Sequence, residues 1–176
     1  QTYTNSHNYK ENIFHYYAKE IPAFPVEDQL RTVENYLSKM EFELNYTNFP
    51  NSTMNFYTTS WEKINENLLN DYQFGKELNK TSHIKQHAEA LKQLNQNDIM
   101  LINSAFSLVK NQMTWNGYKS KYPTASLSKA YKDGAGNCAD INLNLIILLR
   151  ELGFDAYPVI LSTQENGIIH PAHPSI

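Results

Sequence analysis

Apolar residues alternate with polar residues near the start of the chain. Between residues 40 and 46 every second position is apolar, which predicts a strand with one face on a core and the other in water. Residues 12–17 are rich in aromatic side chains and also indicate β-structure. We therefore predict that residues 1–55 form a β-rich segment, either the end of a preceding domain or an N-terminal extension. The alternating apolar positions are Met40, Phe42, Leu44 and Tyr46.

From residue 59 onward the apolar residues recur every three or four positions, which predicts helices. Thr59 and Glu62 form a predicted capping box at the start of a helix that extends to about residue 72. Two more amphipathic helices are predicted over residues 82–94 and 97–113. The predicted apolar stripe of the first helix comprises Trp61, Ile64, Leu68 and Leu69, and that of the third comprises Ile99, Ile102, Phe106 and Val109.

Residues 138–152 carry apolar side chains around their whole circumference rather than along one stripe. A helix of this kind is surrounded by protein, so we predict that it is the central helix of the fold. Gly153 is placed to end it in a left-handed conformation. Residues 154–161 are then mostly apolar and predict a buried strand, and Ser126 is predicted to cap a short helix before the central one.

Length, charge and the lengths of the apolar runs limit the possible functions. A chain of 176 residues is suited to one medium domain. Its net charge is −3 and its basic residues are scattered, so a nucleic-acid partner is not expected. The longest apolar run is too short to span a bilayer, which predicts no transmembrane segment. The chain begins at Gln1 rather than Met, as expected after removal of a leader.

The single cysteine, Cys138, lies in the run Gly-Ala-Gly-Asn-Cys-Ala-Asp at the start of the predicted central helix. Unpaired amides and the helix dipole favour negative charge there, so they stabilise the thiolate that attacks carbonyl groups. The same amides can face an oxyanion, and the glycines at 134 and 136 let a substrate backbone approach. The alternative is a small core residue, as most lone cysteines are.

Two neighbouring residues are candidates for the same site. The indole N–H of Trp115 can donate to an oxyanion, although a wall of the cleft or a core position is equally consistent with its place in the sequence. Asn137 lies beside Cys138 and is assigned to the cleft, with helix capping as the simpler interpretation. His83 and His87 are four residues apart but lack the Glu of a zinc-protease helix, so no metal site is predicted.

Four stretches of the sequence resemble the transglutaminase-like superfamily, and in particular its bacterial branch with a preceding β-rich domain. They are residues 115–118, 136–142, 148–154 and 158–163. The resemblance implies an α+β fold with a papain-like core over residues 56–176. In such a core a buried central helix starts at the cysteine, the helices pack on an antiparallel sheet, and the C-terminal strands are expected to be missing here.

This resemblance implies that Cys138 is the nucleophile of an enzyme that acts through a thioester. The enzyme is a hydrolase, either a peptidase or an amidase, or it is a transglutaminase. Family members carry a catalytic His and an Asp on strands after the helix, whereas here only His170 and His173 follow, among prolines. Three alternatives are open: the base lies beyond Ile176, the triad is degenerate, or one of these two histidines acts from a loop. The chain by itself is expected to be inactive.

The resemblance further implies a protein or peptide substrate, no cofactor, and a location in the periplasm or at the cell surface of a bacterium. The alternative function is a non-catalytic domain that retains the fold and binds peptide, glycan or a partner protein through its aromatic surface. A third interpretation is a helical interaction domain built around residues 59–113.

Overall fold

A computed structural model describes residues 11–25, 32–40, 42, 44–57, 60–94, 97–169, 171 and 174. Within these residues the protein is an α+β structure with five α-helices and two small sheets. The helices are α1 Trp61–Asn70, α2 Lys85–Lys92, α3 Asp98–Gln112, α4 Leu127–Asp133 and α5 Cys138–Glu151. The strands are β1 Tyr46–Thr47, β2 Asn55–Phe56, β3 Thr114–Trp115 and β4 Ala135–Gly136, and 3-10 turns cover Val33–Asn35, Glu77–Asn79 and Gln164–Asn166.

Helix α5 is the centre of the fold, as the sequence predicts. It packs against α2, α3, α4 and the 3-10 turn Glu77–Asn79. Its residues Leu143, Ile147 and Leu148 are buried in the core. Gly153 follows the helix with a φ of +99°, and its N–H donates to the carbonyl of Arg150 at 2.9 Å. The predicted left-handed end is therefore confirmed.

The helix starts follow from capping side chains. Ser60 caps α1 by accepting the N–H of Lys63 at 3.3 Å. The predicted cap was Thr59, which lies outside the described residues, so the prediction is wrong by one position. The Ser60 hydrogen bond also lowers the pKa of Glu62. Asn97 begins α3 in the same manner, and Ser126 begins α4 as predicted. Each cap satisfies an amide that has no partner within its helix.

The buried face of α3 differs from the predicted one. Val109 is 2% exposed, but Ile99 and Phe106 are 73% and 54% exposed. The helix carries two apolar stripes, and the one that packs on α5 and α2 contains small residues that allow a close approach. That buried face consists of Ala105 and Val109, flanked by Leu101 and Leu108.

The predicted N-terminal strands are mostly not formed. Residues 12–17 have no regular structure, and among the described residues of the range 40–46 only Tyr46 belongs to a strand. That strand, β1, pairs antiparallel with β2 in the register Tyr46↔Phe56. The apolar positions at Met40, Phe42 and Leu44 are exposed, because no described layer covers them. The hydrophobic core extends from Leu68 to Ile160, and the boundary near residue 55 stays a prediction.

The predicted buried strand over residues 154–161 has no regular secondary structure in the described residues. Phe154 and Ile160 pack against the core, whereas Tyr157, Val159 and Leu161 face outward and are exposed. The prediction of burial on both faces is thus wrong, because only one layer lies against the segment. The sheet that packs on the helices is the parallel pair of β3 and β4. The described residues therefore do not show the predicted antiparallel sheet beneath the helices.

No described helix combines the length and the apolar character that crossing a bilayer requires.

Candidate active site

Cys138 is the first residue of α5, and a reciprocal capping box fixes its position. The side chain of Asn137 accepts the N–H of Asp140 at 2.9 Å, and the carboxylate of Asp140 accepts the N–H of Asn137 at 2.9 Å. Cys138 lies between these two residues, so its backbone is held at both sides. Its side chain is half-buried, neither sealed in the core nor fully in solvent.

Asp140 also connects α5 to the segment that precedes α4. Its carboxylate is completely buried and accepts the hydroxyl of Thr124 at 2.7 Å and the N–H of Thr124 at 3.3 Å. A Cβ on Gly136 would lie 2.4 Å from the Cβ of Asp140, which no real pair of atoms allows. Gly136 therefore lacks a side chain because Asp140 occupies the space. This contact does not bear on the predicted approach of a substrate backbone.

The thiol of Cys138 contacts the backbone of one residue. The N–H of Ser120 donates to Sγ at 3.2 Å, and the S–H donates to the carbonyl of Ser120 at 3.1 Å. Within the described residues, Ser120 therefore supplies both polar contacts of the sulfur.

Two N–H groups, one of them from Cys138 itself, donate to the same oxygen atom. The indole N–H of Trp115 donates to the carbonyl of Tyr118 at 3.0 Å, and the backbone N–H of Cys138 donates to the same carbonyl at 3.3 Å. Two preorganised donors that meet at one oxygen, next to a nucleophile, are the arrangement that stabilises an oxyanion. In this structure the oxygen belongs to the chain itself.

The predicted site residues differ in how close they come to the thiol. Trp115 lies in β3, next to β4 and the start of α5, and it shares its acceptor with Cys138. Both polar atoms of the Asn137 side chain have partners, because its amide nitrogen donates to the carbonyl of Tyr122 at 2.8 Å. Its geometry is that of a cap and a loop anchor. His170 and His173 lie outside the described residues, so their roles stay predictions.

Of the two histidines before and on α2, His83 is half-buried and His87 is exposed, and both contact the buried residue Tyr131. Nε2 of His83 is 2.8 Å from the side-chain oxygen of Asn144, whose amide nitrogen donates to the carbonyls of Leu127 and Asp140. The rings of His83 and His87 both lie edge-on to Tyr131. Burial raises the pKa of Tyr131. The described residues contain no group of three or more His, Cys, Asp and Glu that could hold a metal ion.

The sequence did not reveal Tyr118, Ser120 and Thr124 as parts of the site. Tyr118 and Ser120 contribute backbone atoms, which every residue has, so no side-chain pattern could have identified them. The only local signal was the turn at Asn116-Gly117, which brings the chain back toward α5.

Comparisons of the chain with known protein families, with curated proteins and with solved structures found no match.

Proposed function

We propose that the protein carries a transglutaminase-like, papain-type domain in which Cys138 is the nucleophile of an acyl-transfer reaction on protein or peptide amides. One observation carries the proposal: the N–H groups of Trp115 and Cys138 meet at the carbonyl oxygen of Tyr118, beside a half-buried thiol. An indole N–H has the same role in animal transglutaminases, which are members of the superfamily that the chain resembles.

The chemistry follows from these groups. The Cys138 sulfur attacks the carbonyl carbon of a substrate amide, so the S–C bond forms and the carbonyl electron pair moves to oxygen. The N–H groups of Trp115 and Cys138 stabilise that oxyanion once a substrate carbonyl has replaced the carbonyl of Tyr118. The C–N bond then breaks, the thiol proton ends on the departing amine, and a thioester remains. Attack by water gives hydrolysis, and attack by another amine gives transamidation.

The base that accepts the thiol proton is proposed to be a histidine, as in the family. His170 and His173 are the candidates within the sequence, and the alternatives of a base beyond Ile176 or a degenerate triad stand beside them. Within the described residues, the polar contacts of the thiol are with the backbone of Ser120. A test of Cys138 and its donors therefore has to work without the base.

An activated ester provides that test, because p-nitrophenolate leaves without protonation. With p-nitrophenyl acetate we expect a burst of about one p-nitrophenolate per protein and an acetyl group on Cys138 by peptide mass spectrometry. Cys138→Ala abolishes the burst, whereas Ser107→Ala, on the exposed side of α3, retains it. A burst that survives in Cys138→Ala contradicts the proposal.

The oxyanion donor is tested with the two tryptophans of the chain. Trp115→Phe removes the N–H that points at the Tyr118 carbonyl, and Trp61→Phe removes one that donates to the carbonyl of Pro171. Dividing the acylation rate by the rate of alkylation with iodoacetamide corrects for access to the thiol. We expect this ratio to fall about 100-fold in Trp115→Phe, as for loss of an oxyanion donor, and to stay unchanged in Trp61→Phe. Equal ratios in the two variants would overturn the assignment of Trp115.

A location in the periplasm or at the surface of a bacterium is part of the proposal, and the resemblance is its support. Fractionation of cells that produce the protein, followed by detection with an antibody, tests the location.

A non-catalytic binding domain is the second candidate. It is favoured by the exposed aromatic side chains of the N-terminal segment, among them Phe14, Tyr17 and Phe42. Exposed aromatic rings are frequent at binding surfaces for peptides and glycans. This candidate predicts peptide or glycan binding that is unchanged in Cys138→Ala and lost when Phe14 and Tyr17 are replaced by Ser.

A further inference from the structure

Residues 116–122 form a short segment, here called the strap, that crosses the start of α5. At its first end the N–H of Asn116 donates to the carbonyl of Gly136 at 3.0 Å. At its other end the carbonyl of Tyr122 accepts the side-chain N–H of Asn137 at 2.8 Å. Both anchors are within two residues of Cys138 in the sequence. The strap therefore has to pass over the thiol.

The middle of the strap is exposed, and it is attached to the protein chiefly through the active-site groups. The carbonyl of Tyr118 accepts the N–H groups of Trp115 and Cys138, and the backbone of Ser120 makes both hydrogen bonds of the thiol. An exposed ion pair between Lys119 and Glu165, at 3.5 Å, adds little because water screens it. Within the described residues, the other side-chain hydrogen bonds of the strap are internal: the N–H of Tyr118 donates to the side-chain oxygen of Asn116, and the hydroxyl of Ser120 bonds the backbone of Tyr122.

We propose that the strap is an autoinhibitory segment, an inference that rests on the proposed acyl-transfer function. Attack on a substrate needs a free sulfur and two free N–H donors, and in this structure the strap occupies all three. The Tyr118 carbonyl holds the position that the substrate carbonyl has to take. The structure is therefore a closed state, and reaction at Cys138 requires an open state in which the strap has left the start of α5.

Gly117 provides a way to shift the balance between the two states. Its φ is +89°, and a Cβ added there would meet no atom within 4 Å. Alanine at this position is strained in the closed strap but causes no clash, and the strain is released when the strap opens. Gly153 is a matched control, because its φ is +99° and its surroundings are equally empty, yet it lies at the far end of α5.

The experiment measures the rate at which iodoacetamide alkylates Cys138 in the full chain. This reaction displaces iodide from carbon and needs no oxyanion, so its rate reports the accessible thiolate of Cys138 independently of the oxyanion donors. Gly117→Ala is expected to raise the rate about fivefold, the factor that corresponds to the strain of one left-handed alanine. Gly153→Ala is expected to leave the rate unchanged, while urea denaturation finds similar losses of stability in both variants.

Three outcomes contradict the proposal that the strap is autoinhibitory. They are an unchanged alkylation rate in Gly117→Ala, a lower rate in that variant, or an equal rise in both variants, which indicates that the whole protein has become less rigid. Failure of the proposed function is a separate result. If Gly117→Ala accelerates alkylation but p-nitrophenyl acetate fails to acylate Cys138 in any variant, the acyl-transfer function is wrong and the strap is only a cover over the thiol. If acylation proceeds and alkylation does not respond to Gly117→Ala, the function stands and autoinhibition is wrong.

Discussion

The side chains of Asn137 and Asp140 each accept the backbone N–H of the other residue, both at 2.9 Å. This reciprocal pair closes the first turn of α5 around Cys138. The same Asp140 carboxylate accepts the N–H and the hydroxyl of Thr124, just beyond the strap. One buried carboxylate thus joins the start of the helix to the residues that follow the strap.

Removal of this carboxylate should be among the costliest changes in the described part of the protein. Asp140→Ala removes the acceptor of the buried N–H of Asn137 and of the N–H and hydroxyl of Thr124, and we expect the free energy of unfolding to fall by about 3 kcal/mol. Urea denaturation followed by circular dichroism measures it. The control is Asp98→Ala in the exposed first turn of α3, which should cost about 0.5 kcal/mol. Similar losses in the two variants would show that the Asp140 network contributes little.

Space beside Asp140 is the basis of the second prediction. Gly136→Ala places a Cβ 2.4 Å from the Cβ of Asp140, so the backbone or the carboxylate has to move. Overpacking of this kind costs about 1–3 kcal/mol, and here we expect the upper part of that range because the neighbour is a buried, fully bonded side chain. The loss is measured by thermal denaturation. A Gly136→Ala protein as stable as the wild type would mean that this part of the site is looser than described.

The packing face of α3 leads to the third prediction. Val109→Ala removes buried methyl groups next to α5 and should lower the free energy of unfolding by about 2 kcal/mol. Ile99→Ala removes more carbon atoms from the exposed stripe, yet it should change stability by less than about 0.5 kcal/mol. Urea denaturation of the two variants distinguishes the faces. A larger loss in Ile99→Ala would show that the face of α3 that carries Ile99 is the buried one.

Tyr131 gives a prediction about pH. Its hydroxyl is buried and has no hydrogen-bond partner among the residues that the structure describes, and burial raises the pKa of Tyr131 above its ordinary value near 10. The unfolded chain therefore loses this proton first, so stability is unaffected below about pH 10 and falls as the pH rises from there toward the pKa in the folded state. Tyr131→Phe should remove this alkaline loss and raise the free energy of unfolding at pH 7 by about 1 kcal/mol.

Urea denaturation at pH 7, 9 and 10.5 measures both effects of the Tyr131 substitution. Tyr118→Phe, whose side chain is exposed, is the control and should resemble the wild type at each pH. If Tyr131→Phe is less stable than the wild type at pH 7, its hydroxyl has a partner, and the buried-hydroxyl interpretation is wrong.

The helices and their ends could be predicted from the sequence because their causes are local. A serine or asparagine at a cap bonds amides three residues away, and Gly153 tolerates a left-handed conformation wherever it lies. The same local causes predicted Cys138 at the first turn of the most enclosed helix. The strands over residues 12–17 and 40–46 were predicted wrongly, because a strand requires a neighbour that the local pattern cannot supply.

The sequence by itself determined where α1 to α5 lie and that the thiol begins the central one, since hydrophobic periodicity and capping act within a few residues. Only the tertiary structure decided which stripe of α3 is buried, because both stripes are apolar and the choice depends on how closely α2 and α5 approach. It also decided that the carbonyl of Tyr118 lies between the N–H groups of Trp115 and Cys138. Backbone atoms have no sequence signature, so their meeting depends on how distant segments fold together.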